Sequence, residues 1–225
     1  MSDDSFIREV NEELRQERAR ALWGRFGPLL IGFAIILVLA TGLYQGYSFW
    51  QSKKSARIGD EFLQALQLAD AKDFSTAVET LAKVEKTGFG GYPALAKLRA
   101  ASLEQQQGNN EKALQAYDAI AKDHSIPLIL QKIAKVRAAF ILVDDGTLAD
   151  VEQRVKDLAT DIDPMRFAAR EALGMAEWKS GNNEQAVHYF TQIKQDQSAQ
   201  SSSTMRAQLM LDLIASSGKS TEGQK

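Results

Sequence analysis

The chain is predicted to be all-α: one N-terminal transmembrane helix, then an α-solenoid of about four helical hairpins closed by a C-terminal capping helix. Three observations predict this. The 225 residues include only 4 Pro and no Cys, with Ala, Leu, Gln, Glu and Lys abundant, which favours helix over an all-β fold. A single uncharged run of 27 residues lies between Arg25 and Lys53. Beyond it, one pattern of small and bulky residues recurs at intervals of 36, 38 and 35 positions.

The same composition excludes several function classes. Without Cys there is no zinc finger, no thiol redox chemistry and no cysteine nucleophile. A formal net charge of −2 gives no basic excess for a polyanion, so no nucleic-acid partner is expected.

Residues 1–25 read as a cytoplasmic amphipathic segment. Ile7, Val10 and Leu14 fall at helical spacing, with Glu and Arg between them. Two readings stand: a solvated extension of the next helix, or a docking or degradation handle.

Residues 26–51 read as a signal anchor. Ten Leu, Ile, Phe or Val residues lie between Leu29 and Leu43. At about −0.3 to −0.6 kcal/mol each near the helix centre, they favour insertion by roughly 3 to 6 kcal/mol, with no ionised side chain opposing. Trp23 and Phe26 on one side, and Tyr44, Tyr47, Phe49 and Trp50 on the other, stand where interfacial aromatic belts belong. Pro28 is tolerated in the first turn of such a span. A cleaved signal peptide, with Ala40-Thr41-Gly42 as a poor cleavage site, and a buried soluble helix are the alternatives. Arg8, Arg15, Arg18, Arg20 and Arg25 precede the run, while Lys53, Lys54 and Arg57 follow it. That bias predicts a cytoplasmic N-terminus and a domain beyond the membrane, in the periplasm of a Gram-negative cell.

Residues 52–216 carry the repeat. Gly108-Asn109-Asn110-Glu111-Lys112-Ala113 recurs as Gly181-Asn182-Asn183-Glu184-Gln185-Ala186. Behind each Ala the same spacing follows: Ala113, Tyr117, Ile120 and Ala186, Phe190, Ile193. A further copy is Ala77, Leu81, Val84, and a degenerate one is Val151, Val155, Leu158. The physical logic is a helical hairpin. Gly takes the left-handed conformation that ends the first helix, and Asn is expected to cap the second. The small residue lets two helices approach and the bulky ones fill the groove beside it. One hairpin cannot bury its own apolar face, so neighbours must stack. Residues 195–203 read as a polar linker, Thr204 to Ala215 as the capping helix with Met205, Leu209 and Leu213 on one face, and 217–225 as a disordered tail.

This pattern resembles the tetratricopeptide repeat family. Leu173-Gly174, Gly181, Ala186 and Phe190 match its small and large positions in order. Ala101, Gly108, Ala113 and Tyr117 do so in the second unit, and Ala65, Phe74, Ala77 and Leu81 in the first. The third unit departs most, with Val151 in place of the small residue, and no unit has the family's early Trp or regular Pro. The resemblance implies a right-handed solenoid packed through Ala77, Leu81, Ala113, Tyr117, Val151, Val155, Gly174, Ala186 and Phe190.

The order of parts is similar to the YfgM-type ancillary subunits of the Sec translocon. Leu22-Trp23-Gly24-Arg25-Phe26-Gly27, Tyr92-Pro93-Ala94-Leu95-Ala96 and Arg170-Glu171-Ala172-Leu173 carry the local likeness. It implies an inner-membrane protein associated with SecYEG and with a membrane-anchored periplasmic chaperone of the peptidyl-prolyl isomerase type. The implied role is passing emerging proteins to periplasmic chaperones. A membrane-tethered scaffold for another cell-envelope complex is the alternative.

Active-site chemistry is not legible. His124 and His188 have no second His or Cys at ligand spacing. Gly88-Phe89-Gly90-Gly91 lacks the Lys-Ser/Thr of a phosphate loop and reads as a connector. Ser216-Ser217-Gly218-Lys219 sits in a polar tail, and Asp144 and Asp145 read as turn capping. No enzyme activity, cofactor, metal or small-molecule substrate is expected; the partners are protein and membrane lipid. In repeats of this type the first helices line the concave side, where Lys97, Gln105, Arg137, Arg170 and Trp178 are the candidate partner contacts.

Overall fold

The computed structural model describes the backbone of residues 3–222 and the side chains of 32–217 other than Ala34, Ser52 and Lys54. The side chains of the expected amphipathic segment, of the first part of the expected anchor, and of Trp23 and Pro28 lie outside those residues. So do residues 223–225 of the expected tail. All described elements are helical: α1 Asp3–Asp70, α2 Phe74–Thr87, α3 Tyr92–Gln106, α4 Asn110–Lys122, α5 Leu128–Asp145, α6 Leu148–Val155, α7 Arg166–Lys179, α8 Asn183–Gln195 and α9 Ser201–Glu222. A 3-10 turn, Lys156–Leu158, extends α6.

The chain divides into two compact units, Met1–Arg57 and Ile58–Lys225. In the first, the described side chains lie on α1. Among the described residues no helix is long and apolar enough to cross a membrane. Phe33, Ile35, Ile36, Leu37, Val38, Leu39, Leu43, Tyr44, Tyr47, Phe49 and Trp50 are nevertheless all more than half exposed.

The second unit is a stack of helical hairpins. Each helix from α2 to α9 packs on its neighbours in sequence, and α5 with α7, and α7 with α9, also meet. The turns explain why the chain doubles back at these points. At the end of α3, Gly108 has φ 79°, its N–H reaches Gln105 O and the Asn109 N–H reaches Glu104 O, both at 2.9 Å. Gly181 (φ 84°) and Asn182 repeat this closure after α7, on Trp178 O and Glu177 O. Lys72 makes it after α1 with φ 64°, a conformation that a side chain disfavours.

Asn109 and Asn182 do not cap with their side chains as the sequence suggests. Each amide turns back and donates to a glutamate of the helix just ended, Glu104 Oε2 at 2.9 Å and Glu177 Oε2 at 2.8 Å. Side-chain capping occurs instead at Asp73, which accepts from Thr76 N–H, and in a reciprocal box between Thr147 and Asp150. Asp145 does not cap either; it accepts from Asn110 Nδ2 at 2.6 Å.

The second helix of each hairpin contributes one buried triad. Ala77, Leu81 and Val84, then Ala113, Tyr117 and Ile120, then Val151, Val155 and Leu158, then Ala186, Phe190 and Ile193 are each at most 3% exposed. Gly174 is buried opposite the last of these: a Cβ there would stand 2.9 to 3.2 Å from three Phe190 ring atoms. The cores are sequential rather than shared, four clusters in turn from the end of α1 to α9. That is the nearest-neighbour logic of a repeat array.

Polar contacts join one repeat to the next. Arg154 binds Asp118 through two hydrogen bonds, 3.1 and 2.7 Å. Arg206 binds Glu171 likewise, 2.6 and 2.7 Å. Lys179 Nζ donates to Val143 O at 2.9 Å and to Asp144 O. Each partner lies 35 or 36 residues away, one repeat length.

The C-terminal end differs from the sequence reading. Asp196 terminates α8, and α9 already begins at Ser201, so the linker is shorter than 195–203. The same helix continues to Glu222, through positions read as tail. Its core-facing side is Ala207, Met210, Leu211 and Ile214, whereas Met205, Leu209 and Leu213 are 74%, 67% and 42% exposed. The spacing of those three is helical, but their face is the outer one.

Candidate functional site

The five candidate contact residues lie on α3, α5 and α7, and the fold does not bring them together. Lys97 is half-buried, with Nζ 3.3 Å from Asp123 and 4.0 Å from Glu85. It borders a groove of about 480 Å³ between α3 and α4, floored by Ala100, Ala101, Ala116 and Ala119. Charges of both signs rim the groove: Glu85, Lys97 and Asp123, with Glu104 and Lys112. Hydrogen bonds from the Ser125 hydroxyl and N–H, then from Lys97, hold Asp123 below the usual carboxylate range, so it is ionised and acceptor-only at neutral pH. A small-residue floor with charged rims fits an extended polypeptide better than a compact small molecule.

Trp178 borders a second groove, of about 340 Å³, with Met175, Met210, Val143, Asp144 and Lys179. Its walls come from α5, α7 and α9, and its lining is mainly apolar. Thioethers and an indole adapt to varied apolar side chains.

Arg137 is exposed on α5, and Gln105 is half-buried on α3. Arg137 lies close to Tyr117, whose buried hydroxyl has Ser102 beside it but makes no well-formed hydrogen bond among the described residues; Arg99 Nε is likewise without one. Burial pushes the Tyr117 phenol up from its ordinary value, against the opposing influence of Arg137, Ser102 and Arg99. Arg99 and Ser102 therefore belong to this polar cluster, though the sequence did not single them out. Ser102 stands one helical turn before Gln105 on α3, which was the available signal for it; Arg99, two residues from Lys97, lies on another side of the helix and gave none.

Arg170 is a correction. It is 3% exposed; its guanidinium donates to Ala159 O at 3.0 Å and pairs with Asp161. A charge this deep must be paired, and the loop that follows α6 supplies the partners. It ties that loop to α7 and is not available to a binding partner.

His188 is exposed and lies 3.1 Å from Gln192, and His124 is exposed in the turn before α5. Among the described residues no group of three or more His, Cys, Asp or Glu could hold a metal ion.

An array of helical hairpins with grooves of small and apolar residues, charged at the rims, defines a protein–protein interaction module. The particular class follows from comparison with known families: residues 20–172 match the tetratricopeptide repeat-like domain, so the chain belongs to that family. Domains of this kind are typically non-catalytic. No curated protein and no solved structure matches the chain.

Proposed function

We propose that this protein is a non-catalytic, single-pass inner-membrane protein whose hairpin domain works in the periplasm. There it would stand beside the Sec translocon and help pass emerging polypeptides to a membrane-anchored chaperone of the peptidyl-prolyl isomerase type. The observation that carries the membrane part is the eleven large apolar side chains exposed on α1 from Phe33 to Trp50. Ile35 to Leu39 are five consecutive residues, which at 100° per residue cover the whole circumference of the helix. A helix apolar on all sides belongs inside a protein or in lipid. Tyr44, Tyr47, Phe49 and Trp50 follow at the end where an interface would lie.

The secretion part rests on the likeness of the sequence to translocon subunits, and on grooves suited to polypeptide. An anchor would raise the effective concentration of those grooves beside other membrane-bound partners, so each contact can be weak.

Protease accessibility in spheroplasts, with a cytoplasmic control protein, tests the topology. Digestion of the 58–225 domain while the membrane stays intact supports the reading. Protection until lysis refutes it and leaves a cytoplasmic adaptor. Cross-linking to SecY then tests the partner: a periplasmic domain that never cross-links points to a scaffold for another envelope complex.

A further inference from the structure

Six arginines lie in the hairpin domain, and four of them are committed. Arg154, Arg166, Arg170 and Arg206 each hold a carboxylate of the domain directly: Asp118, Asp196, Asp161 and Glu171 in turn. Arg99 and Arg137 do not. Arg99 comes no nearer to an acid than 3.9 Å, at Asp70, whose side chain is 82% exposed, so that pair is loose. Arg137 is exposed and makes no ion pair among the described residues.

These two are the arginines that act on Tyr117. Tyr117 packs between the helices that carry them, in one cluster with Ala101 of α3 and with Ala134 and Ala138 of α5. α5 packs directly on α7, whereas α3 and α5 meet mainly through α4, the helix of Tyr117. The phenol is 1% exposed, and its hydroxyl, like Arg99 Nε, makes no well-formed hydrogen bond among the described residues. Buried polar groups are normally satisfied, so such orphans call for an explanation. Here the groups are donors. A guanidinium has no acceptor atom, and Tyr117, whose ionisation burial opposes, keeps its proton at neutral pH. The half-buried Ser102 hydroxyl stands beside it. Two positive charges among unsatisfied donors are the complement of an anion.

A carboxylate suits the donor set. Its two oxygens can accept several hydrogen bonds at once, and guanidinium forks bind it in charge-assisted pairs. The place of the cluster in the array sets the source. α1 and α2 precede it and α6 to α9 follow, so a polypeptide laid along the array passes this point instead of ending there. We propose that Arg99 and Arg137 form a site for an acidic side chain, Glu or Asp, of a bound polypeptide. The Ser102 hydroxyl donates to the same carboxylate, and binding displaces Asp70 from Arg99. Tyr117 is a positioning residue: with the Ser102 O–H turned to the ligand, the Tyr117 O–H donates to Ser102 Oγ. This site rests on the reading of the domain as a polypeptide-binding module, and is independent of where in the cell the domain lies.

Fluorescence anisotropy with the full chain in mild detergent is the test. The probe is a labelled, C-terminally amidated decapeptide of Gly, Ser and Leu with one central Glu, compared with its Gln twin. The Glu peptide should bind about ten-fold more tightly or better, as expected for charge-assisted bonds. Arg137→Gln should erase that preference while leaving the Gln peptide unaffected; Lys194→Gln, at an exposed position on α8, should leave the preference intact. Tyr117→Phe should reduce the preference several-fold, and Asp70→Asn should raise affinity for the Glu peptide about two-fold, the effect of removing a weak exposed competitor. Equal, measurable binding of the Glu and Gln peptides would overturn the site and leave the polypeptide-binding reading standing. A preference that survives Arg137→Gln would also overturn it, by placing the carboxylate elsewhere. A Gln peptide with a free C-terminal carboxylate that binds as tightly as the amidated Glu peptide would replace the side chain by a chain end. Binding of neither peptide would refute the polypeptide-binding reading as well.

Discussion

Gly174 is where the packing can be tested most sharply. A Cβ at this position would stand 2.9, 3.0 and 3.2 Å from Phe190 Cζ, Cε2 and Cε1. Ordinary carbon contacts are about 3.5–4.0 Å, so the fully buried ring must retreat by roughly half an ångström or more. Overpacking of this kind costs about 1–3 kcal/mol. Against it, Ala gains about 1 kcal/mol over Gly in a helix interior. The net expectation for Gly174→Ala is a loss of about 1 kcal/mol. With Phe190→Leu the ring is gone, and only the helical gain of Ala remains. Gly174→Ala should then stabilise by up to about 1 kcal/mol, so the substitution changes sign between the two backgrounds. Urea unfolding of the full chain in mild detergent, followed by circular dichroism, measures this, provided the slope is equal among variants. Equal stabilisation by Gly174→Ala in both backgrounds would refute the reasoning: the ring would then be free to yield, and Gly174 would not be a packing residue.

Three further outcomes follow from the same structure. Lys72→Gly should stabilise by about 0.5–1 kcal/mol in the same unfolding assay, since Lys72 holds the left-handed φ of 64° that glycine holds at the two equivalent turns. Arg154→Ala and Asp118→Ala should show a coupling of about 1 kcal/mol in a double-mutant cycle, because their two-bond pair joins α4 to α6. Acid should destabilise the domain through depressed carboxylates: Asp196, held low by Arg166, then Ser198, and Asp163, where burial is outweighed by Lys132 and the Met165 N–H. Such groups lend stability above the unfolded value of about 4 and lose it as pH falls through their folded values. Unfolding midpoints should therefore be flat from neutral pH to about 5 and drop below about 4. Asp196→Asn should flatten that acid limb, and an unchanged limb would show that Asp196 does not contribute to it.

The repeats were legible because they are local. A small residue at 113 and a bulky one at 117 answer to helical spacing alone, and the glycines at 108 and 181 to a backbone conformation that side chains disfavour. The candidate contacts were less so. Placing Arg170 on the first helix of its hairpin was correct, but the loop that receives its guanidinium sits nine to eleven residues upstream and only the fold aims it there. The asparagines after Gly108 and Gly181 have a capping residue's chemistry, yet a glutamate five residues back competes for the amide and takes it.

Sequence alone therefore determined the helical class, the hairpin period and the family, since these depend on residue spacing along one chain. Tertiary structure decided which side of each helix faces out. The Met205, Leu209 and Leu213 ridge shows the difference. Periodicity reports that three apolar residues share a face. It takes the neighbouring α8, with Ala186, Phe190 and Ile193 already filling the groove beside Ala207 and Ile214, to leave that face uncovered.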